Sequence, residues 1–156
     1  MNVVLTCSSI FGGVLLLAYT AYMIIKKGAM LESLSESAYV AQCPLAFTFA
    51  TVTSSLLITP QMIVKAESAS GLLGMLFLAG MLLAAASPHY RDLSKTLHYA
   101  GAYVAAGSSQ LLVMLVCWPI MLVWLLYVAY YVRTHTHNVL YAEACCLLSV
   151  MIYCIV

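Results

Sequence analysis

Four histidines and five acidic residues carry most of the titratable chemistry in this chain of 156 residues. The residue with the sharpest chemical meaning is Glu143, which stands inside the apolar run that follows Asn138. A carboxylate within a membrane helix costs about 2.5–3.5 kcal/mol on insertion scales, so it belongs against the bundle interior with a partner. It can carry a proton, ligate a metal or act as a general base; equally, it can be an interfacial residue favoured by the helix N-terminal dipole. His89, His98 and one of His135 and His137, joined by Asp92 or Glu143, offer the nitrogen and oxygen donors that a catalytic zinc requires. A hydrolase on that plan would use His89, His98 and His137 as metal ligands. Glu143 or Asp92 would accept the proton, and Ser37 of the first loop would stabilise developing charge. No local motif such as H-E-x-x-H supports the metal, and interfacial histidines also serve headgroups and loop carbonyls.

Other polar groups have structural readings. Asp92 and Ser94 can bond the free N–H groups at a helix start. Ser33-Leu34-Ser35-Glu36-Ser37 alternates as a turn or extended segment does, and nothing in it activates a nucleophile. Thr48, Thr51, Thr53, Ser54, Ser55 and Thr59 make one span unusually polar, and such hydroxyls mostly bond back to their own helix. The six cysteines form no C-x-x-C pair, and most read as small apolar packing residues.

The elements that position these groups must be membrane helices. Hydrophobic residues are 65% of the chain and charged residues 7%, where a soluble domain has about 25% charged. That little charge cannot keep a soluble fold of this size dispersed. The same balance holds no basic run for nucleic acid. The expected fold class is all-α: a single transmembrane helical domain over residues 1–156, with the lipid bilayer as its solvent.

Asn2–Ile25 is a full-length span with Lys26 and Lys27 behind it, an anchor and not a signal peptide. Met30, Leu31, Leu34 and Ala38 suggest a short interfacial helix in the first loop. Pro44 fits the first turn of a second span reaching Lys65, with a kink or frayed last turn at Pro60. Ser68 or Ser70 can cap a third span, Gly71–Ser87, stopped by Pro88. A continuous helix over Leu97–Val132 would be about 54 Å long against a hydrocarbon core of about 30 Å. It must break near Trp118, leaving Leu97–Val116 and a short Pro119–Val132. Asn138 can cap a sixth span. Six spans place Lys26, Lys27, Arg91, Lys95 and Arg133 on one side and Lys65 on the other, which predicts both termini outside the cytoplasm. Five spans, the alternative, weaken that bias. The stripes Gly101-Ala105-Ser109 and Gly80-Ala84 read as close helix packing.

Ser33-Leu34-Ser35-Glu36-Ser37-Ala38-Tyr39, Ala86-Ser87-Pro88-His89-Tyr90-Arg91-Asp92 and Leu97-His98-Tyr99-Ala100-Gly101-Ala102 resemble a group of small, uncharacterised bacterial multi-span proteins. That resemblance implies a bacterial inner-membrane location and no particular activity. The loop serine, the aspartate and the membrane-edge histidines are more distantly similar to the CREST superfamily, which includes alkaline ceramidases and progestin/adiponectin-type receptors. That similarity implies a zinc-bound water acting on a lipid-like substrate at the cytoplasmic face, although Ala102 stands where an H-x-x-x-H pair would put its second histidine. Two functions therefore stand open: a non-enzymatic bundle that binds a lipid or small molecule, carries protons or scaffolds a partner, and a metal-dependent membrane hydrolase.

Overall fold

The computed structural model describes residues 2–40, 44–89 and 94–156, apart from the side chains of 67–69 and 94. Among these residues the secondary structure is helical throughout: α1 (Val3–Lys27), α2 (Glu36–Val40), α3 (Pro44–Lys65), α4 (Glu67–Ala86), α5 (Ser94–Cys117), α6 (Trp124–Thr134) and α7 (Val139–Ile155). Four stretches are long and apolar enough to cross a membrane: Val3–Lys27, Pro44–Lys65, Ser70–His89 and Lys95–Thr134. Val139–Ile155 is apolar but shorter.

The helix ends follow from local chemistry. Asn2 is extended and its side chain accepts from the Leu5 N–H, opening α1. Gly28 closes α1 at φ 69°, and its N–H donates to Ile24 and Ile25 carbonyls, leaving Lys26 and Lys27 on the negative end of the helix dipole. Pro44 opens α3, where its missing N–H is not needed. Pro60 lies inside α3, yet the helix continues to Lys65, so the expected frayed end is not seen. α4 starts at Glu67 with Ala66 in the capping position and no side-chain cap, earlier than the serine-capped start expected. It ends at Ala86, and Pro88 lies in the 3-10 turn Ser87–His89 that follows.

The expected break is present. α5 ends at Cys117, whose φ of −147° and ψ of 70° leave helical space, and a 3-10 segment Trp118–Val123 precedes α6. The chain doubles back there, because Trp124 Nε1 donates to Gln110 Oε1 at 2.9 Å. In an unbroken helix the fourteen intervening steps would separate these residues by about 21 Å. Only the last part of the expected Pro119–Val132 span is therefore α-helical; with Pro119 near its start, the segment first winds more tightly.

Alternation of direction is fixed by contacts at both ends. At one end, Gln61 Nε2 donates to Thr6 Oγ1 (3.0 Å) and the Cys154 carbonyl (3.1 Å), joining the start of α1, the end of α3 and the end of α7. Lys65 Nζ donates to the Tyr153 carbonyl beside them at 2.9 Å. At the other end, Thr48 Oγ1 donates to the Ala85 carbonyl, joining the start of α3 to the end of α4. The Leu140 N–H reaches the Glu32 carbonyl, so the first loop meets the start of α7.

Glycine sets the tightest crossing. A Cβ on Gly80 would lie 2.5 Å from the Ala105 nitrogen, and one on Gly101 would lie 2.5 Å from the Ala84 nitrogen. The two small-residue stripes thus face one another, backbone against backbone, across α4 and α5. A core of Ile58, Met62, Phe77, Leu112, Val113 and Val150 fills the bundle toward the termini end. α6 buries none of its residues.

Candidate functional site

The first loop is not one amphipathic helix. Turns follow Gly28, and among the loop's described residues only Glu36–Val40 is helical. Leu31, wholly buried with Met23 and Leu140, pins the loop to the bundle. Two carboxylates then bind its backbone. Glu36 Oε2 accepts from the Glu32 N–H at 2.7 Å while its Oε1 pairs with Lys27 Nζ at 2.6 Å. The hydrogen bond from Lys27 and that from the Glu32 N–H hold the Glu36 carboxyl below the usual glutamate range.

Glu143, on the second turn of α7 and partly buried, accepts the Leu34 N–H on Oε2 at 2.6 Å. Ser37, fully buried, donates its hydroxyl to the Leu34 carbonyl. The N–H and the carbonyl of one first-loop residue, Leu34, are therefore held by two of the residues proposed as catalytic from the sequence. Glu143 differs from Glu36 in lacking a cationic partner among the described residues, whereas Glu36 pairs with Lys27. Ser37, with its hydroxyl hydrogen engaged by a carbonyl, is placed as a loop tie. Ser33 and Ser35 hydrogen-bond one another at 2.9 Å.

The remaining groups lie elsewhere. His89 Nε2 and Thr48 Oγ1 are 2.9 Å apart, where the start of α3 meets the turn after α4. His98 Nδ1 lies 3.3 Å from Ser87 Oγ, and its ring meets Tyr99 edge-on. His137 stacks on Tyr131 with centroids 4.4 Å apart, and is exposed. His98 and Glu143 share no hydrogen-bond partner, so the expectation of one polar pocket gains no contact. Asp92 lies outside the described residues, as do Tyr90 and Arg91. Among the described residues no three of His, Cys, Asp and Glu come together as a metal site would need. The described residues alone therefore do not assemble the zinc site that the CREST similarity implies.

Asn138 occupies the capping position of α7 but does not cap it; its Nδ2 donates instead to the Leu31 carbonyl at 3.5 Å. The expected local cap is replaced by a tie to the first loop.

Sequence reasoning missed Gln61 and Gln110. Gln110 Oε1 accepts from Trp124 Nε1 and from Ser149 Oγ, both at 2.9 Å, and thereby locks the return of the chain after α5 to α7. Gln61, 1% exposed, ties three helices as described above. The signal was a carboxamide inside an apolar run, a group as much in need of a partner in lipid as any hydroxyl. The hydroxyls of the second span divide: Ser55 and Thr59 bond back to Val52 and Ser55 carbonyls, whereas Thr51 Oγ1 and Ser54 Oγ have no partner though buried.

Compared with known proteins, the chain matches no family model, no curated protein and no solved structure.

Proposed function

We propose that the chain is a non-enzymatic membrane bundle of six crossings in which Glu143 takes up and releases a proton beneath the first loop. The observation that carries this reading is the bond from the Leu34 N–H to Glu143 Oε2, made by a carboxylate with no cationic partner among the described residues. A hydrogen bond to a charged acceptor is worth about 1.5–3 kcal/mol. That is comparable with the roughly 2.5–3.5 kcal/mol cost of a charge within a span, so neither the charged nor the neutral form is overwhelmingly preferred. The carboxylate form attracts the loop-one N–H; the neutral acid attracts it less. Proton binding is thereby coupled to how firmly the loop is held.

Six crossings are supported by the meeting of α1, α3 and α7 at the Gln61 end and by the return of the chain at Trp118–Val123. With the five-against-one distribution of Lys and Arg, both termini lie outside the cytoplasm and the first loop inside. The hydrolase reading needs a converged metal site, and His89, His98 and His137 each have a different partner.

Hydrogen exchange at the Leu34 amide, followed against pH in reconstituted protein, tests the coupling. Protection should fall as pH is lowered in the native chain, and Glu143→Gln should give low protection at every pH. Protection that ignores both pH and the substitution contradicts the reading. Near-stoichiometric zinc lost on His98→Ala would favour the hydrolase instead.

A further inference from the structure

We propose that α7 carries a proton path through the bundle, from Glu143 at the first loop to Tyr153 and Gln61 at the opposite end. The inference rests on the reading of Glu143 as a proton-binding group and adds a route and an exit.

Glu143, Cys146, Ser149 and Tyr153 recur at three- and four-residue steps and so share one face of α7, with axial steps of about 4.5–6 Å. That face looks inward. Ser149 is fully buried and donates to Gln110 Oε1 and the Cys146 carbonyl. Tyr153 is 3% exposed, and its hydroxyl has no partner. Gln61, at the same end, has both acceptors of its Nε2 in place while its Oε1 has no donor. An unpaired buried polar group is left without the hydrogen bond it would make in water. Two at one end of a polar stripe, on helices joined by the Gln61–Cys154 bond, are where ordered water would be stabilised by several protein groups.

The proton enters from the loop-one side, where Glu143 is only partly buried, and forms an O–H bond on the carboxylate. It moves on by exchange along hydrogen bonds: each hydroxyl or water accepts one proton and gives up another. Only O–H bonds break and form, no electrons move, and a pH gradient across the membrane supplies the drive. The proton leaves past Tyr153 and Gln61 beside Lys65, whose ammonium donates to the Tyr153 carbonyl. Around Glu143, the first loop presents Glu36, neutralised by Lys27; α7 presents Cys146; and His137 of the turn before α7 stacks on Tyr131. α5 contributes the uncharged Gln110, and α1 contributes Thr6 and Ser9 at the exit.

The test uses the full chain in phosphatidylcholine–phosphatidylglycerol vesicles containing a pH-sensitive dye, with potassium and valinomycin clamping the voltage. An imposed pH gradient should collapse faster than in protein-free vesicles, and no faster when sodium is added. Glu143→Gln and Tyr153→Phe should each slow the collapse at least about tenfold, the latter removing one hydroxyl and leaving the ring. Lipid-facing Leu126→Ala should not. Collapse no faster than in empty vesicles overturns the path, and so does a Tyr153→Phe rate equal to the native one. If the Leu34 amide still follows pH in those same vesicles, the proton-binding reading survives and only the path fails. Helical content by circular dichroism shows whether Glu143→Gln is folded, and Tyr153→Phe decides the question if it is not.

Discussion

Glu36 and Glu143 do similar work with different surroundings. Each accepts one backbone N–H of the first loop, but Glu36 also pairs with Lys27. Because its carboxyl is held below the ordinary value of 4.5, the stabilisation it gives is fully present above that value and is lost as pH falls below it. A surface pair of this kind is worth up to about 1 kcal/mol. The Glu32 amide should therefore stay protected from neutral pH down to about 5 and lose protection below the ordinary glutamate value. Glu36→Gln should lower that protection at every pH, read by hydrogen exchange; an unchanged Glu32 amide in the variant would contradict the assignment. Glu143 could be singled out from its place in an apolar run. Its partner could not, because a peptide N–H has no letter in the sequence. The same holds for Ser37, whose bond is to a main-chain carbonyl.

At the scale of elements, the small-residue stripes were legible as packing faces, but not that they face one another. Spacing within a helix gives the face, and only the antiparallel docking of α4 on α5 brings Gly80 to Gly101. Neither backbone can retreat, so Gly80→Leu must push the two helices apart. Overpacking of this kind costs about 1–3 kcal/mol, and its midpoint in a denaturing-detergent titration should fall accordingly. Gly107, also on α5, has open space around its Cβ position, and Gly107→Leu should leave the midpoint nearly unchanged. Equal shifts in the two variants would mean that the α4–α5 crossing is not as close as described. The break after α5 was legible from length and from Pro119. The 3-10 segment was not, since nothing in Trp118–Val123 separates it from an α-helix except the need to return Trp124 to Gln110. Asn138 shows the converse: a good capping residue in the capping position, turned instead to the first loop because Leu31 offers a carbonyl.

For the whole molecule, composition settled the class and left the site open. An apolar chain with little charge must be helical in lipid, and the helices are there. Which histidines and acids meet depends on how the helices are arranged around one another, which hydropathy does not encode. That is why Glu143 and Ser37 come together on the first loop while His89, His98 and His137 do not share partners. The central claim is that the chain passes six times and so returns the start of α7 to the first loop. Side-specific thiol labelling in intact cells, with single cysteines introduced at Lys27, His135 and Val156 of an otherwise cysteine-free chain, tests it most directly. The account predicts that Lys27→Cys and His135→Cys are protected from an impermeant reagent and that Val156→Cys is labelled. Labelling of His135→Cys and Val156→Cys on the same side would remove the last crossing and contradict it.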